Sequence, residues 1–166
     1  LATRVGEKEA EIMQGHMMLL MDPMLTGEIE TAITGESICA EYAIEQVCTT
    51  YADMFASMDD ELMQQRATDM RDIKERMQRE LLGLLGQWQM EQGEYIQAAN
   101  TFYDAGDWER LLEAIVLDRS KSFGGEHGPM LTKWSTQCPE QLLLRRPDAL
   151  LVLMLNLYTY NNIDEM

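Results

Sequence analysis

From Glu61 to Leu82 the chain runs without a glycine or proline, and apolar residues recur at Met63, Ala67, Met70, Met77, Leu81, Leu84 and Trp88. Steps of three and four, with Lys74 in the one gap, are the period of an α-helix that buries a single stripe. Asp59 and Asp60 supply a cap and N-terminal negative charge, and Gly93 supplies a stop. The pattern predicts one helix over 60–92, roughly 50 Å long at 1.5 Å per residue. Ahead of it, Ala10, Met13, Met17, Leu20 and Met21 predict a helix over 6–22. Asp22-Pro23 reads as a cap followed by proline at the first helical position, opening a helix over 23–34 that Gly35 ends. Ser37 then caps a helix over 38–58, with apolar positions Ile38, Ala40, Ile44, Val47, Cys48, Tyr51, Met54, Phe55 and Met58.

After Gly93 the grammar changes. Gly93-Glu94-Tyr95 with Ala98 and Ala99 is echoed thirteen residues on by Gly106-Asp107-Trp108 with Leu111 and Leu112. Each unit is a turn glycine, an acidic cap, an aromatic and a short amphipathic stretch, a helical-repeat signature. Helices are predicted over 94–104 and 107–118. A glycine-rich loop follows at 124–129, then a helix over 130–136, a short one opened by Pro139, and a last one from Arg146-Pro147-Asp148 through about Tyr160. No stretch alternates as a strand would, so the fold class is all-α: a helical-bundle portion joined through a shared long helix to helical hairpins.

Composition narrows what such a chain can do. Hydrophobic residues make up 46% of 166, enough for a sizeable core in one domain or two small ones. The net charge is −16, with 7 basic and 17 acidic side chains in residues 1–83 and 6 and 12 in the rest. Acidity in both halves argues against nucleic-acid binding and suits a basic protein partner. Three cysteines without a CxxC give neither a disulfide framework nor a zinc site, which points to a reducing cytosol. The longest apolar run, Ala149 to Leu155, is too short to span a membrane, and no signal peptide is visible. A chain that begins at Leu1 reads as a fragment.

Residues 6–83 resemble Enzyme I of the bacterial phosphoenolpyruvate–sugar phosphotransferase system. The residues that carry this are Gly6-Glu7-Lys8-Glu9, Gly15-His16-Met17-Met18-Leu19-Leu20 with Asp22, Leu25 and Glu28-Ile29, and above all Arg66-Ala67-Thr68-Asp69-Met70-Arg71-Asp72-Ile73. In that family the segment is the helical subdomain that docks the small basic phosphocarrier HPr. The resemblance implies a docking face of Glu7, His16, Met18, Leu19, Asp22, Met54, Phe55, Met63 and Arg66. Lys8 and Met24 stand where the family would place acidic residues. Residues 84–166 resemble the helical (TPR-like) repeat region of large LuxR-type, maltose-regulator-like transcription activators. That match rests on Trp88, Gly93-Glu94-Tyr95, Ala98-Ala99, Phe102-Tyr103, Ala105-Gly106-Asp107-Trp108, Trp134 and Arg146-Pro147-Asp148-Ala149-Leu150. Two unrelated families in one chain imply an engineered chimera joined near Gly83 to Leu85, with a natural fusion as the lesser alternative. Its expected function is structural and non-catalytic, with HPr docking as the alternative.

The chemistry of catalysis is not written in the sequence. Enzyme I works through a phosphohistidine in a "GGxxSH"-type motif, and Gly124-Gly125-Glu126-His127 is only a superficial echo of it. His16 has no basic cradle for phosphate among its chain neighbours. Asp59, Asp60 and Glu61 read as a helix N-terminus rather than an acid–base pair, and Asp72–Arg76 as the clearest salt bridge along a helix face. His127, Glu126 and Cys138 lack metal-ligand spacing. No catalytic residue, cofactor or metal is therefore expected. Most of the 14 methionines fall at helical spacing and are expected in the core, Met18, Met54 and Met63 excepted. Relative to Enzyme I most of one bundle helix is missing. The faces left open are expected to be covered by the second half, or else by association into a homodimer. Gly83 and Gly86 mark the place for a kink.

Overall fold

The computed structural model describes residues 7–119, 121, 123 and 127–162, with side chains described from residue 13 to residue 159 of these. The described residues form helices α1 (Glu7–Leu20), α2 (Pro23–Glu36), α3 (Ala40–Ala56), α4 (Glu61–Gln92), α5 (Tyr95–Asp104), α6 (Trp108–Asp118), α7 (Gly128–Gln137), α8 (Glu140–Arg145) and α9 (Pro147–Asn162), with no strand among them. The fold is all-α. The chain divides into two compact units, residues 1–78 and 79–166.

In the first unit α1 packs on α2 and α2 on α3. Asp22 caps α2 by accepting the amide of Met24 at 2.8 Å, with Pro23 at the first turn. The end of α2 departs from expectation. The helix continues through Gly35 to Glu36, and Ser37 takes the left-handed conformation (φ 55°) as its C-cap. Ser37 therefore closes α2 rather than opening α3, which starts behind Cys39 without a side-chain cap. Asp60 caps α4, its Oδ1 accepting from Leu62 at 2.8 Å and Met63 at 3.3 Å. The core consists of Leu25, Ile29 and Ala32 from α2, Ala43, Ile44, Val47, Cys48 and Ala52 from α3, and Ala67, Met70 and Ile73 from α4. Lys74, the polar gap in the stripe, lies at the core's margin and binds Glu45 Oε1 at 2.8 Å, while Gln78 donates to Oε2 at 3.0 Å. The expected Asp72–Arg76 pair is not formed among the described ion pairs: Arg71 approaches Asp53 (4.0 Å), and Arg76 Nη1 lies 3.9 Å from Met13 Sδ.

In the second unit the thirteen-residue echo is one turn used twice. Gly93 (φ 78°) and Gly106 (φ 70°) both occupy the left-handed region that glycine tolerates best. At the first turn, Gly93 donates to the Met90 carbonyl at 3.0 Å and Glu94 to that of Gln89 at 2.9 Å. At the second, Gly106 donates to Tyr103 at 3.0 Å and Asp107 to Phe102 at 2.8 Å. These paired bonds satisfy the open carbonyls of a helix end. They fold α5 back onto α6, while α9 packs against α6, α7 and α8. The core contains Ala98, Ala99, Phe102, Leu111, Leu112, Ile115, Leu131, Trp134, Ala149 and Leu153.

Helix α4 is unbroken through Gly83 and Gly86, the place where any break in it was expected to fall. Both glycines serve packing. A Cβ at Gly86 would lie 2.5 Å from Phe102 Cε1, and one at Gly83 would lie 3.2 Å from Arg110 Nη2. Arg110 donates from Nη1 to the Gly83 carbonyl at 3.1 Å, pairs with Asp107 at 2.6 Å and sits over the Phe102 ring. The buried face here runs through the glycines, so Leu84 and Trp88, expected in the stripe, are exposed. Trp134 is buried, and Trp108 meets Tyr103 edge-on at 5.5 Å.

Candidate functional site

The candidate site lies in the first unit and is built from the end of α1, the α1–α2 corner, the end of α3 and the start of α4. Gly15 and His16 approach α4 where Arg66 and Asp69 project. His16 Nε2 is buried without a hydrogen bond, 3.8 Å from Asp69 Oδ1, a separation that becomes an ion pair only when the ring is protonated. Asp69 Oδ2 accepts from Arg66 Nη1 at 3.3 Å. Arg66 reaches this position across the backbone of Gly15, where a Cβ would lie 2.9 Å from its Nη1. The histidine thus lies beside a carboxylate that accepts a hydrogen bond from a guanidinium.

Around this trio the surface is rich in thioethers. Met17, Met18, Met21 and Met24 are 56, 69, 76 and 67% exposed, and Met13, Met54 and Met58 are exposed as well. Met13, Met17 and Met21 were expected in a core stripe. Their helical spacing is real, but nothing in the described structure covers the face that they share. Leu19 and Met63 are half-buried. Tyr51 donates to Glu28 Oε1 at 3.1 Å and contacts the Phe55 ring at 6.3 Å. Burial and the Glu28 carboxylate both push its phenol above the usual range.

The structure brings His16 and Arg66 together through Asp69. It puts Met18, Leu19 and Asp22 at the α1–α2 corner, Met54 and Phe55 at the end of α3, and Met63 at the start of α4. Asp22 is already engaged as the α2 cap. Glu7 opens α1, but its side chain lies outside the described residues, as do those of Lys8 and of Gly124 to Glu126 in the loop echo. Sequence reasoning passed over Asp69 as one member of a charged helix face. Its pairing with His16 crosses 53 positions of chain and leaves no local signal. Among the described residues, no group of three or more His, Cys, Asp or Glu side chains could hold a metal ion, and no helix is long and apolar enough to cross a membrane.

Residues 1–66 match the family model described as PEP-utilising enzyme, N-terminal. The chain is 41% identical over 80 residues to the phosphoenolpyruvate-protein phosphotransferase of Priestia megaterium, covering 48% of this chain and 14% of that protein. It is 40% identical over 83 residues to that of Listeria monocytogenes (50% and 14%) and 40% over 84 residues to that of Enterococcus faecalis (50% and 15%). The chain therefore spans only about one seventh of the length of these relatives. No solved structure matches it. The first part of the chain is thus similar to the N-terminal region of phosphoenolpyruvate-dependent protein phosphotransferases.

Proposed function

We propose that residues 1–83 form a docking module for a small basic phosphocarrier of the HPr kind, and that the chain has no phosphotransfer chemistry of its own. The observation that carries this reading is the exposed apolar corner of Met17, Met18, Met21 and Met24 beside the His16–Asp69–Arg66 trio. An enzyme named for transfer to a protein must recognise one, and the site lies in the segment that matches such enzymes. An apolar centre on a chain of net charge −16 suits a basic partner. His16 lies 3.8 Å from the Asp69 carboxylate, whose other oxygen holds Arg66, an arrangement that cradles no phosphate. A cytosolic location accords with the free thiols of Cys39, Cys48 and Cys138.

A purely structural reading, an engineered fusion of an Enzyme I-like piece with a repeat-like piece over 84–166, draws on the single helix α4 that runs through residue 83. Docking is the better supported of the two, because the family match covers residues 1–66. Association of two copies is a further proposal, resting on α9, where Leu151, Met154, Leu155 and Tyr158 are all exposed. Titrating the isotope-labelled chain with HPr tests docking: amide shifts should move around Met17, Met18 and Arg66. Unmoved spectra would sink it. Incubation with phosphoenolpyruvate, magnesium and HPr should yield no phosphorylated HPr.

A further inference from the structure

The strongest unexplained feature of the first unit is its surface sulfur. Eight of the 14 methionines are exposed among the described residues; seven of them (Met13, Met17, Met18, Met21, Met24, Met54 and Met58) lie in this unit, and four fall within residues 17–24. Methionine at helical spacing ordinarily fills a core, as Met70 does at 1% exposure. The four at the α1–α2 corner instead present their thioethers to solvent at 56–76% exposure. A thioether is apolar and deformable, which suits an adaptable contact surface. It is also a side chain that mild oxidation converts reversibly from apolar to polar.

We propose that Met17, Met18, Met21 and Met24 are oxidation sites, and that their conversion to methionine sulfoxide switches off protein docking at this corner. The inference rests on the docking reading above. The oxidant is a hydroperoxide. The sulfur lone pair attacks the distal peroxide oxygen, an S–O bond forms as the O–O bond breaks, and a proton moves to the departing oxygen to give water or an alcohol. The sulfur loses two electrons and the peroxide gains them. A thiol-dependent sulfoxide reductase reverses the step, removing the oxygen as water. The change adds no charge, so the long-range attraction of the acidic chain for a basic partner persists. It adds a strong S–O dipole, which must be stripped of water before the apolar contact can close. The switch therefore acts on the close contact and not on the encounter. The side chains are exposed, so their oxidation leaves the helical core in place, whereas oxidation of Met70 would not.

The test uses the full chain, limiting hydrogen peroxide and peptide mass spectrometry. Residues 17, 18, 21 and 24 should take up oxygen well before Met70 and before half-buried Met63 and Met77. After the peroxide is destroyed with catalase, HPr is added. The Kd should rise at least about tenfold on oxidation, with helical circular dichroism unchanged, and return after treatment with methionine sulfoxide reductase and a dithiol. In the Met17→Leu/Met18→Leu/Met21→Leu/Met24→Leu variant, whose own untreated affinity for HPr is the reference, peroxide should leave the Kd unchanged. Equal affinity of the oxidised and reduced parent overturns the switch and leaves docking standing. Loss of affinity in the peroxide-treated leucine variant overturns the assignment to these four sulfurs. A reduced parent that does not bind HPr at all overturns docking, and this inference with it.

Discussion

Arg66 occupies the space that a side chain at Gly15 would need, its Nη1 lying 2.9 Å from where that Cβ would stand. The obstacle is the far end of a flexible side chain rather than backbone, so Gly15→Ala displaces Arg66 instead of unfolding α1. Two effects on stability nearly cancel. Alanine in a helix gains up to about 1 kcal/mol over glycine, and the part-exposed Arg66–Asp69 pair loses up to about 1 kcal/mol. Thermal unfolding should therefore barely change. Affinity for HPr should fall several-fold, as Asp69 loses its hydrogen bond from Arg66 beside His16. An unchanged affinity measured by calorimetry would show that the trio has no part in docking.

A second glycine behaves in the opposite way. Phe102 is fully buried, and its ring comes within 2.5 to 2.8 Å of a Cβ built on Gly86. Gly86→Ala should thus destabilise the second unit by about 1–3 kcal/mol through overpacking. All three tryptophans lie in that unit, so urea unfolding followed by tryptophan fluorescence reports on it directly. Gly27 is the control: nothing lies within 4 Å of its would-be Cβ in α2. Gly27→Ala should stabilise the first unit by about 0.5–1 kcal/mol, read by circular dichroism.

What could be read in the sequence was local. The turns at Gly93 and Gly106 were legible because left-handed geometry favours glycine at fixed spacing; of the two acidic caps expected behind them, Asp107 caps its helix and the Glu94 side chain does not. The Asp22 and Asp60 caps were legible because a helix N-cap likewise favours few residue types. Ser37 misled because serine suits either end of a helix, and the choice depended on how far α2 could run past Gly35. Periodicity gave the faces of α1 and α4 but not what covers them. Met17, Met21, Leu84 and Trp88 are therefore exposed where a core was expected, and the buried track of late α4 passes over two glycines that carry no hydrophobic signal at all. The His16–Asp69–Arg66 trio joins residues more than fifty positions apart, so only the folded chain reveals it.

Glu45 gives the first unit an acid limit. Hydrogen bonds from Lys74 and Gln78 hold its carboxyl below the usual glutamate range, against the opposing pull of burial. A carboxyl with a lowered folded pKa contributes stability that is fully present above its unfolded value. That stability is lost as pH falls through the lower, folded value. Stability should thus decline below about pH 4.5, by about 0.5–1 kcal/mol for this group, since Glu45 is nearly half exposed and solvent screens the pair. Lys74→Met should shrink that component of the acid slope, leaving the smaller part that Gln78 supplies, while retaining the packing of the lysine stem. If the variant and the parent lose stability in parallel between pH 5 and pH 3, measured by urea midpoints, the pair contributes nothing.

Helix α9 is apolar on both faces. Ala149 and Leu153 are buried, while Leu151, Met154, Leu155 and Tyr158 form an exposed stripe at helical spacing. No charged residue occurs between Asp148 and Asp164. In a chain of net charge −16, copies repel wherever acidic surfaces meet, so a helix without charge beyond Asp148 in its first turn is a place where two copies can approach. An antiparallel α9–α9 contact would be self-complementary, as a two-fold interface must be. Sedimentation should show a monomer–dimer equilibrium that shifts towards dimer as salt is raised from 0.05 to roughly 0.5 M, since screening shortens the repulsion and leaves the apolar gain intact. Leu151→Glu with Leu155→Glu should hold the chain monomeric without altering the fluorescence of buried Trp134. A parent that sediments as a monomer at every concentration and salt would remove the interface. A double variant that still dimerises would place it elsewhere.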